Sequence, residues 1–368
     1  MVTAAHEPAV VENGRDNTPI RGLRCALMHS GTAKGAYFLA EDLPADPDTR
    51  DDLLLRIMGS PEPLQIDGIG GGHPQTSKIA AVSRCPAPEI ADLDYLFLQV
   101  HPDQPLVTAQ QPCGNLLAGV GPFALSRGLI EAGPDITTVR IRMVKTGSIA
   151  VASFRADDAA EGGVCTVDLE FEDIAGSICG SQLPTGNVRD EIDGIPVTCI
   201  DNGMPVVLVH AADLGVTGYE TCEQLESDPG LMDRKERLRL AAGRLMGLGD
   251  AEEGTVPKIL LIAAPKDSGT LATRTFFAFG CHPSIGVLSA ISVATAVVLP
   301  GSVAAGIATA PGNDGLVRLE HPSGSFDTRV ISGHDTAAMV LTARMLFDGT
   351  VWPGPRQVLP SRAEPDED

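Results

Sequence analysis

At 368 residues the chain is longer than one hydrophobic core usually serves, so two domains of roughly 150 to 200 residues are expected. Hydrophobic residues at 43% are enough to pack a core and exclude wholesale disorder. A formal net charge of -21, from 27 Lys and Arg against 48 Asp and Glu, excludes a nucleic-acid-binding surface, although a buried pocket that is locally positive remains compatible with it.

The opening MVTAAHEPAVVENGRDNTP has acidic residues and no apolar stretch, so it reads as neither secretory signal nor transit peptide, and a cytoplasmic location is expected. Residues 1–18 and 353–368 are polar and aperiodic and read as mobile tails. LRCALM at 23–28 reads as a strand, HSGTAKG as a turn-rich link, AYFLAEDLP as a second strand, and DTRDDLLLRIMGS has helical spacing with an acidic first turn. A loop carrying Gly68, Gly70, Gly71 and Gly72 precedes a β-prone segment from near Ser77. Strands are expected at Asp94–Val100 and, from the alternation of Val139, Ile141 and Met143 with Arg140 and Arg142, at Thr138–Val144. Between them a helix begins at Cys113-Gly114-Asn115, and Pro122 predicts that it ends early or kinks.

The second half repeats this order. IPVTCIDNGMPVVLV reads as two strands about a D-N-G turn, and ESDPGLMDRKERLRLAAGRLM as an exposed amphipathic helix. KILLIAAP and RTFFAFG read as strands, and an apolar helix follows Cys281. The sixteen residues Ser284–Leu299, bounded by Pro283 and Pro300, are too few to cross a bilayer comfortably and read as a buried core helix, so no membrane partner is expected. Each half thus sets strands around one central helix whose entry carries a cysteine. The fold class expected is α/β (α+β) in two similar domains, 19–184 and 185–352, with the final strand assigned either to the second domain or, by returning, to the first. Eight cysteines without a C-x-x-C pair argue against a metal ribbon or disulfide scaffold and predict free thiols.

Chemistry is expected at the helix entries. Unpaired N–H groups and the macrodipole concentrate positive potential where Gly114, Asn115 and Leu116 begin one helix and Ser284 and Ile285 the other. Two such ends facing one cleft suit a small di- or tricarboxylate. Cys113 and Cys281 stand at those entries, either as small core residues or as thiols favoured in the thiolate form. Lys78 sits where a strand turns apolar, either edge-exposed or directed into a cleft as a general base. His282, His321 and Asn202 occupy turn positions open to either ligand contact or backbone capping. Walker, G-x-S-x-G and H-E-x-x-H patterns are absent, and the glycine loop lacks G-x-G-x-x-G spacing.

These segments carry a family resemblance. G-T-A-K-G-A-Y-F-L, M-G-S-P-E-P-L-Q-I-D-G-I-G-G, T-S-K-I-A, C-G-N-L-L-A-G-V-G-P-F-A, L-P-T-G-N, C-I-D-N-G-M-P-V-V-L, C-H-P-S-I-G-V and L-E-H-P-S-G, in this order from Arg24 to Gly349, resemble the 4-oxalomesaconate tautomerases of the methylaconitate isomerase (PrpF-like) family. The resemblance implies the diaminopimelate-epimerase-like fold, two pseudo-symmetric domains each with a curved sheet round a central helix, an active site between them, and no cofactor or metal. It implies a cofactor-independent isomerase moving a proton on 4-oxalomesaconate in aromatic-acid (gallate or protocatechuate) degradation, with Lys78 as base and Cys113 as acid. Substrate contacts implied or read from position are His29, Gly31, Thr32, Lys34, Ser77, Gly114, Asn115, Leu116, Asn202, Cys281, His282, Ser284 and Ile285. Relatives usually read M-R-G-G-T-S-K-G where this chain has Met28-His29-Ser30-Gly31-Thr32-Ala33-Lys34-Gly35, so His29 stands in place of a permanently charged arginine fork. The alternatives are a 2-methylaconitate isomerase, a non-catalytic carboxylate-binding protein, and a two-cysteine racemase using Cys113 and Cys281. Homodimer formation is left open.

Overall fold

The computed structural model describes residues 10–11, 20–109, 113–172, 174–249, 251, 254–277, 280–311, 315–330 and 337–355, so the tails expected at 1–18 and 353–368 lie almost wholly outside the described residues. In chain order the first elements are β1 (Val10–Val11), β2 (Ile20–Arg21), β3 (Leu23–Ser30), β4 (Ala33–Leu39), α1 (Pro47–Met58), β5 (Lys78–Arg84), β6 (Leu93–Val100), β7 (Val107–Thr108) and α2 (Gly114–Ser126). They continue with β8 (Thr137–Met143), β9 (Ile149–Phe154), β10 (Cys165–Glu172), β11 (Asp190–Ile192), β12 (Ile195–Asp201), β13 (Pro205–His210), α3 (Cys222–Glu226) and α4 (Pro229–Leu245). The last are β14 (Lys258–Ala263), β15 (Leu271–Phe277), β16 (Gly280–His282), α5 (Val287–Val298), β17 (Leu316–His321), β18 (Gly324–Val330) and β19 (Ala337–Val351).

Pairing in the first half runs β3, β4, β5, β6, β8, β9 and β10, and β19 bonds to both β10 and β3, so these strands close a ring. Alternation explains how such strands face inward. Along β10, Cys165, Val167, Leu169 and Phe171 are buried while Thr166, Asp168 and Glu170 are exposed. The ring encloses α2, which is buried from Gly114 to Ala124 and touches strands on all sides; a helix apolar all round needs such a cover. In the second half β11 to β15, β17 and β18 pair in series, with β16 added to β15, and α5 packs against β12, β13 and β18. One continuous apolar core joins α2, α5 and both sets of strands, while α1 and α4 cover smaller cores outside.

Three local expectations need correction. The second central helix begins at Val287, not at Ser284 and Ile285: Pro283 precedes them, the Ser284 N–H is taken by His282 Nδ1 at 2.9 Å, and Gly286 is the N-cap. The first helix runs through Pro122 to Ser126 without ending early, because enclosure by the ring compensates the one lost backbone bond. The third concerns the segment at 226–246, read as one exposed helix. It is one helix, α4, capped by Asp228, but it is not exposed throughout, since α4 buries Lys235 and Arg239. Arg239 is buried because it donates to the carbonyls of Ala251 and Gly254 and pairs with Glu236. No helix among the described residues is long and apolar enough to cross a membrane.

A bidentate ion pair ties α2 to the last strand: Arg127, at the C-cap where a cation is favoured, donates to both Asp348 oxygens at 2.6 and 3.0 Å. Burial acts to raise the Asp348 carboxyl, but Arg127, with help from Arg24, holds it below its ordinary value of 3.8. A depressed acid contributes stability that is present above its unfolded value and lost as pH falls through the folded one. Asp348→Asn should therefore cost about 1–2 kcal/mol at pH 7, with the gap from the parent closing as pH falls below the ordinary carboxyl value, as read by urea unfolding across that range.

Candidate active site

A cavity of about 490 Å³ opens where the starts of α2 and α5 meet, between the glycine loop before β5 and the strands β14 to β16. Its walls bring together Lys78, Cys113, Gly114, Asn115, Cys281 and His282 from residues far apart in sequence.

Lys78 is the first residue of β5, held by parallel pairing to β4 at Gly35 and opposite Gln99 of β6. Its Nζ donates to Gln99 Oε1 at 2.8 Å and lies 5.0 Å from the centre of the Phe97 ring. Gln99 cannot turn away: its Nε2 donates into the carbonyls of Pro74, Ser77 and Val100, which fixes its oxygen toward the amine. The amine is thus aimed by a buried amide and an aromatic face, with no carboxylate bound to it among the described residues.

Cys113 is the N-cap of α2, and its thiol makes no capping bond. Its carbonyl accepts from Tyr95 Oη at 3.1 Å and that of Leu116 accepts from Tyr37 Oη at 2.6 Å. Burial pushes both phenols upward, so they stay protonated and donate. The two helix starts abut: a Cβ built on Gly114 would lie 2.5 Å from Val287 Cγ1 and 2.7 Å from Val287 Cβ. Gly114 and Asn115 on one side and Val287, Leu288 and Ser289 on the other then line the same cavity, which concentrates the positive ends of two helices there. Ser289 Oγ, in the first turn of α5, is buried without a hydrogen-bond partner among the described residues.

On the facing wall His282 is buried, accepts from the Ser284 N–H at Nδ1, and contacts the Gln75 amide through Nε2 at 3.2 Å. Burial, followed by Lys258 and Lys78, pulls it down to about 3, so the ring is neutral. Cys281 Sγ lies 2.7 Å from Cys222 Sγ, its N–H donates to Glu226 Oε1, and burial together with Cys222 pushes its thiol well up. Lys258, the first residue of β14, also reaches this cavity. Among the described residues no three His, Cys, Asp or Glu side chains converge as a metal site.

The remaining sequence candidates lie outside the lining. Gly31 and Thr32 form the β3–β4 turn, where the Thr32 N–H donates to Asn115 Oδ1 at 2.9 Å; Gly31 has φ +58, and a Cβ there would strike that same oxygen. The hairpin therefore orients Asn115. His29 and Lys34 face each other across the same hairpin. Ser77 is buried and donates to Gln65 Oε1, while Leu116 and Ile285 are core residues. Asn202 is buried under α5, donating to Thr295 Oγ1 and to Ser292 Oγ. Ser284 Oγ contacts His321 Nε2 at 3.2 Å. Sequence reasoning missed Gln99, Phe97, Gln75, Ser289 and Lys258. For Lys258 a signal existed, since it heads K-I-L-L-I as Lys78 heads K-I-A-A-V.

The sequence pattern described as PrpF protein matches residues 20–353. The chain belongs to the PrpF family. It is 50% identical over 355 residues to a 4-oxalomesaconate tautomerase of Pseudomonas putida, covering 90% of this chain and 98% of that one. A (4E)-oxalomesaconate Delta-isomerase of a Novosphingobium species is 50% identical over 346 residues, covering 89% and 96%. Among solved structures, methylitaconate-delta-isomerase matches with TM-score 0.75 at 28% identity, covering 94% of this chain and all of that one. This PrpF-family site thus stands on the approach of two helix starts. Gly114→Ala should force them apart, since Val287 Cβ itself blocks the added carbon. About 1–3 kcal/mol of stability should be lost, seen as a lower melting temperature, together with a drop in turnover.

Proposed function

We propose that this PrpF-family chain is a cofactor-independent isomerase that moves a proton on 4-oxalomesaconate. The observation that carries the reading is that the Lys78 amine and the Cys113 thiol wall the same cavity, at the meeting point of two helix N-termini. A proton on carbon beside a carbonyl is lost easily only if the enolate is stabilised, so the site needs a base, an acid and fixed positive potential. The Lys78 amine, acting in its uncharged form, takes that proton and becomes an ammonium. The electron pair spreads into a dienolate held against the helix N–H groups. The Cys113 thiol then returns a proton, either to the oxygen, giving the enol, or to the far carbon, giving the rearranged alkene, and is left as thiolate. Exchange with water resets both groups, and no electron is gained or lost.

The names of the two relatives at 50% identity support this substrate. The orphan hydroxyl of Ser289 supports a polar ligand in the cavity. In this reading the halves 19–184 and 185–352 are related epimerase-like domains with β19 returned to the first, and the enzyme is cytoplasmic. The likeness to methylitaconate-delta-isomerase favours one neighbouring reading, an allylic shift on a methyl-bearing dicarboxylate or tricarboxylate. A two-cysteine racemase fits less well, because burial and Cys222 keep the Cys281 thiol protonated.

Proton NMR in heavy water, with 4-oxalomesaconate and 2-methylaconitate as separate substrates, tests the reading. Deuterium should enter 4-oxalomesaconate at the carbon beside its carbonyl. Lys78→Met and Cys113→Ala should each slow turnover by about two orders of magnitude or more. Undiminished turnover in either purified variant would remove that residue from proton transfer, and turnover of 2-methylaconitate alone would reassign the substrate.

A further inference from the structure

We infer that the Lys258 ammonium is the fixed counter-ion for one carboxylate of the substrate, a binding role separate from proton transfer. The inference rests on the isomerase reading above and extends it to how the polyanion is held.

Lys78 and Lys258 are the two Lys or Arg side chains among the described residues that line the cavity. They are placed alike. Each is the first residue of its strand, each is followed by isoleucine and an apolar run, and each strand pairs in parallel with the second arm of the preceding hairpin, Lys78 opposite Gly35 and Lys258 opposite Val206. Their surroundings differ. Lys78 is bound by Gln99 and faces Phe97, whereas the Lys258 amine has no hydrogen bond or ion pair with another described residue, in a cavity whose lining also includes Met204 and Leu288.

Other buried cations among the described residues are answered. Arg127 meets Asp348, Arg239 meets Glu236 and two carbonyls, Lys235 meets Glu236, and Arg274 donates to the carbonyls of Glu220 and Thr273. Two carboxylates line the same cavity, but Glu226 accepts the Cys281 N–H and Asp103 is an exposed loop residue. A half-buried ammonium without an anion is costly unless a ligand supplies one. Burial brings Lys258 down to about 8, which leaves it mainly cationic at neutral pH, and a bound carboxylate would favour the cation further.

The two lysines divide the labour. A lysine that acts as base must be an uncharged amine when substrate arrives, so Lys78 cannot also be the permanent cation for a carboxylate. His282 is neutral. The helix N-termini supply only partial charges. Lys258 is the full charge that remains for a polyanion entering a chain of net charge -21.

The test compares parent, Lys258→Met and Lys258→Arg enzymes in 4-oxalomesaconate turnover and in calorimetric binding of tricarballylate, a saturated tricarboxylate that cannot isomerise. Lys258→Met should raise KM and the tricarballylate Kd together by about 10- to 100-fold, with kcat within about threefold, and Lys258→Arg should recover most of both. Parent-like KM and Kd in Lys258→Met would overturn the inference. So would a collapse of kcat at unchanged Kd, which would make Lys258 a proton carrier. Should the methionine variant fail to fold, the same titration on Lys258→Gln decides, again by whether Kd rises. If the parent binds tricarballylate through Lys258 but does not turn over 4-oxalomesaconate, the counter-ion role stands and the isomerase reading fails.

Discussion

Two helix starts can share one cavity wall because residue 114 has no side chain. Val287, the first residue of α5, occupies the space where a Cβ of Gly114 would stand. Everything polar in the cavity is referred to that contact. Cys113 precedes it, Asn115 follows it, and Ser289 lies one turn into the other helix. Each helix is in turn held by its own strands: Tyr37 and Tyr95 bond to the first carbonyls of α2, and Ser292 of α5 donates to the Asn202 and Met204 carbonyls. Rigid enclosure of both helices is what keeps their N–H groups in place without a ligand. Preorganised donors of this kind need no rearrangement as negative charge develops.

The electrostatic design runs against the chain's composition. An acidic protein repels a polycarboxylate at long range, with the repulsion screened beyond about 8–10 Å at physiological salt. Inside the cavity the balance reverses, through two helix dipoles, an amine aimed by Gln99 and a second lysine without an acidic partner. The two carboxylates of the lining do not cancel this: Glu226 accepts a backbone N–H, and Asp103 is an exposed loop residue. His282 adds a polar ring and no charge, since burial above all keeps it deprotonated.

The candidates missed in sequence were missed for a common reason. Gln99 becomes the partner of Lys78 only through the register of β5 on β6, and register is invisible in two strands read separately. Conversely His29, Thr32 and Ser284 carry the residue types of a binding site, yet their polar groups or strand positions serve the hairpin and the turns. Ser284 was also read as helical, but a histidine side chain competes for its N–H and delays the helix by three residues.

The sequence by itself determined most element types and the two buried helices, because apolar periodicity is a local property, while Lys78 and Cys113 stood out only through the family resemblance. Only the tertiary structure decided that β19 closes the first ring, that Gln99 aims the amine, and that Lys258 joins the same cavity. Those outcomes depend on which distant segments pair. Pairing is fixed by the packing of the whole core around α2 and α5, which no local stretch of the chain encodes.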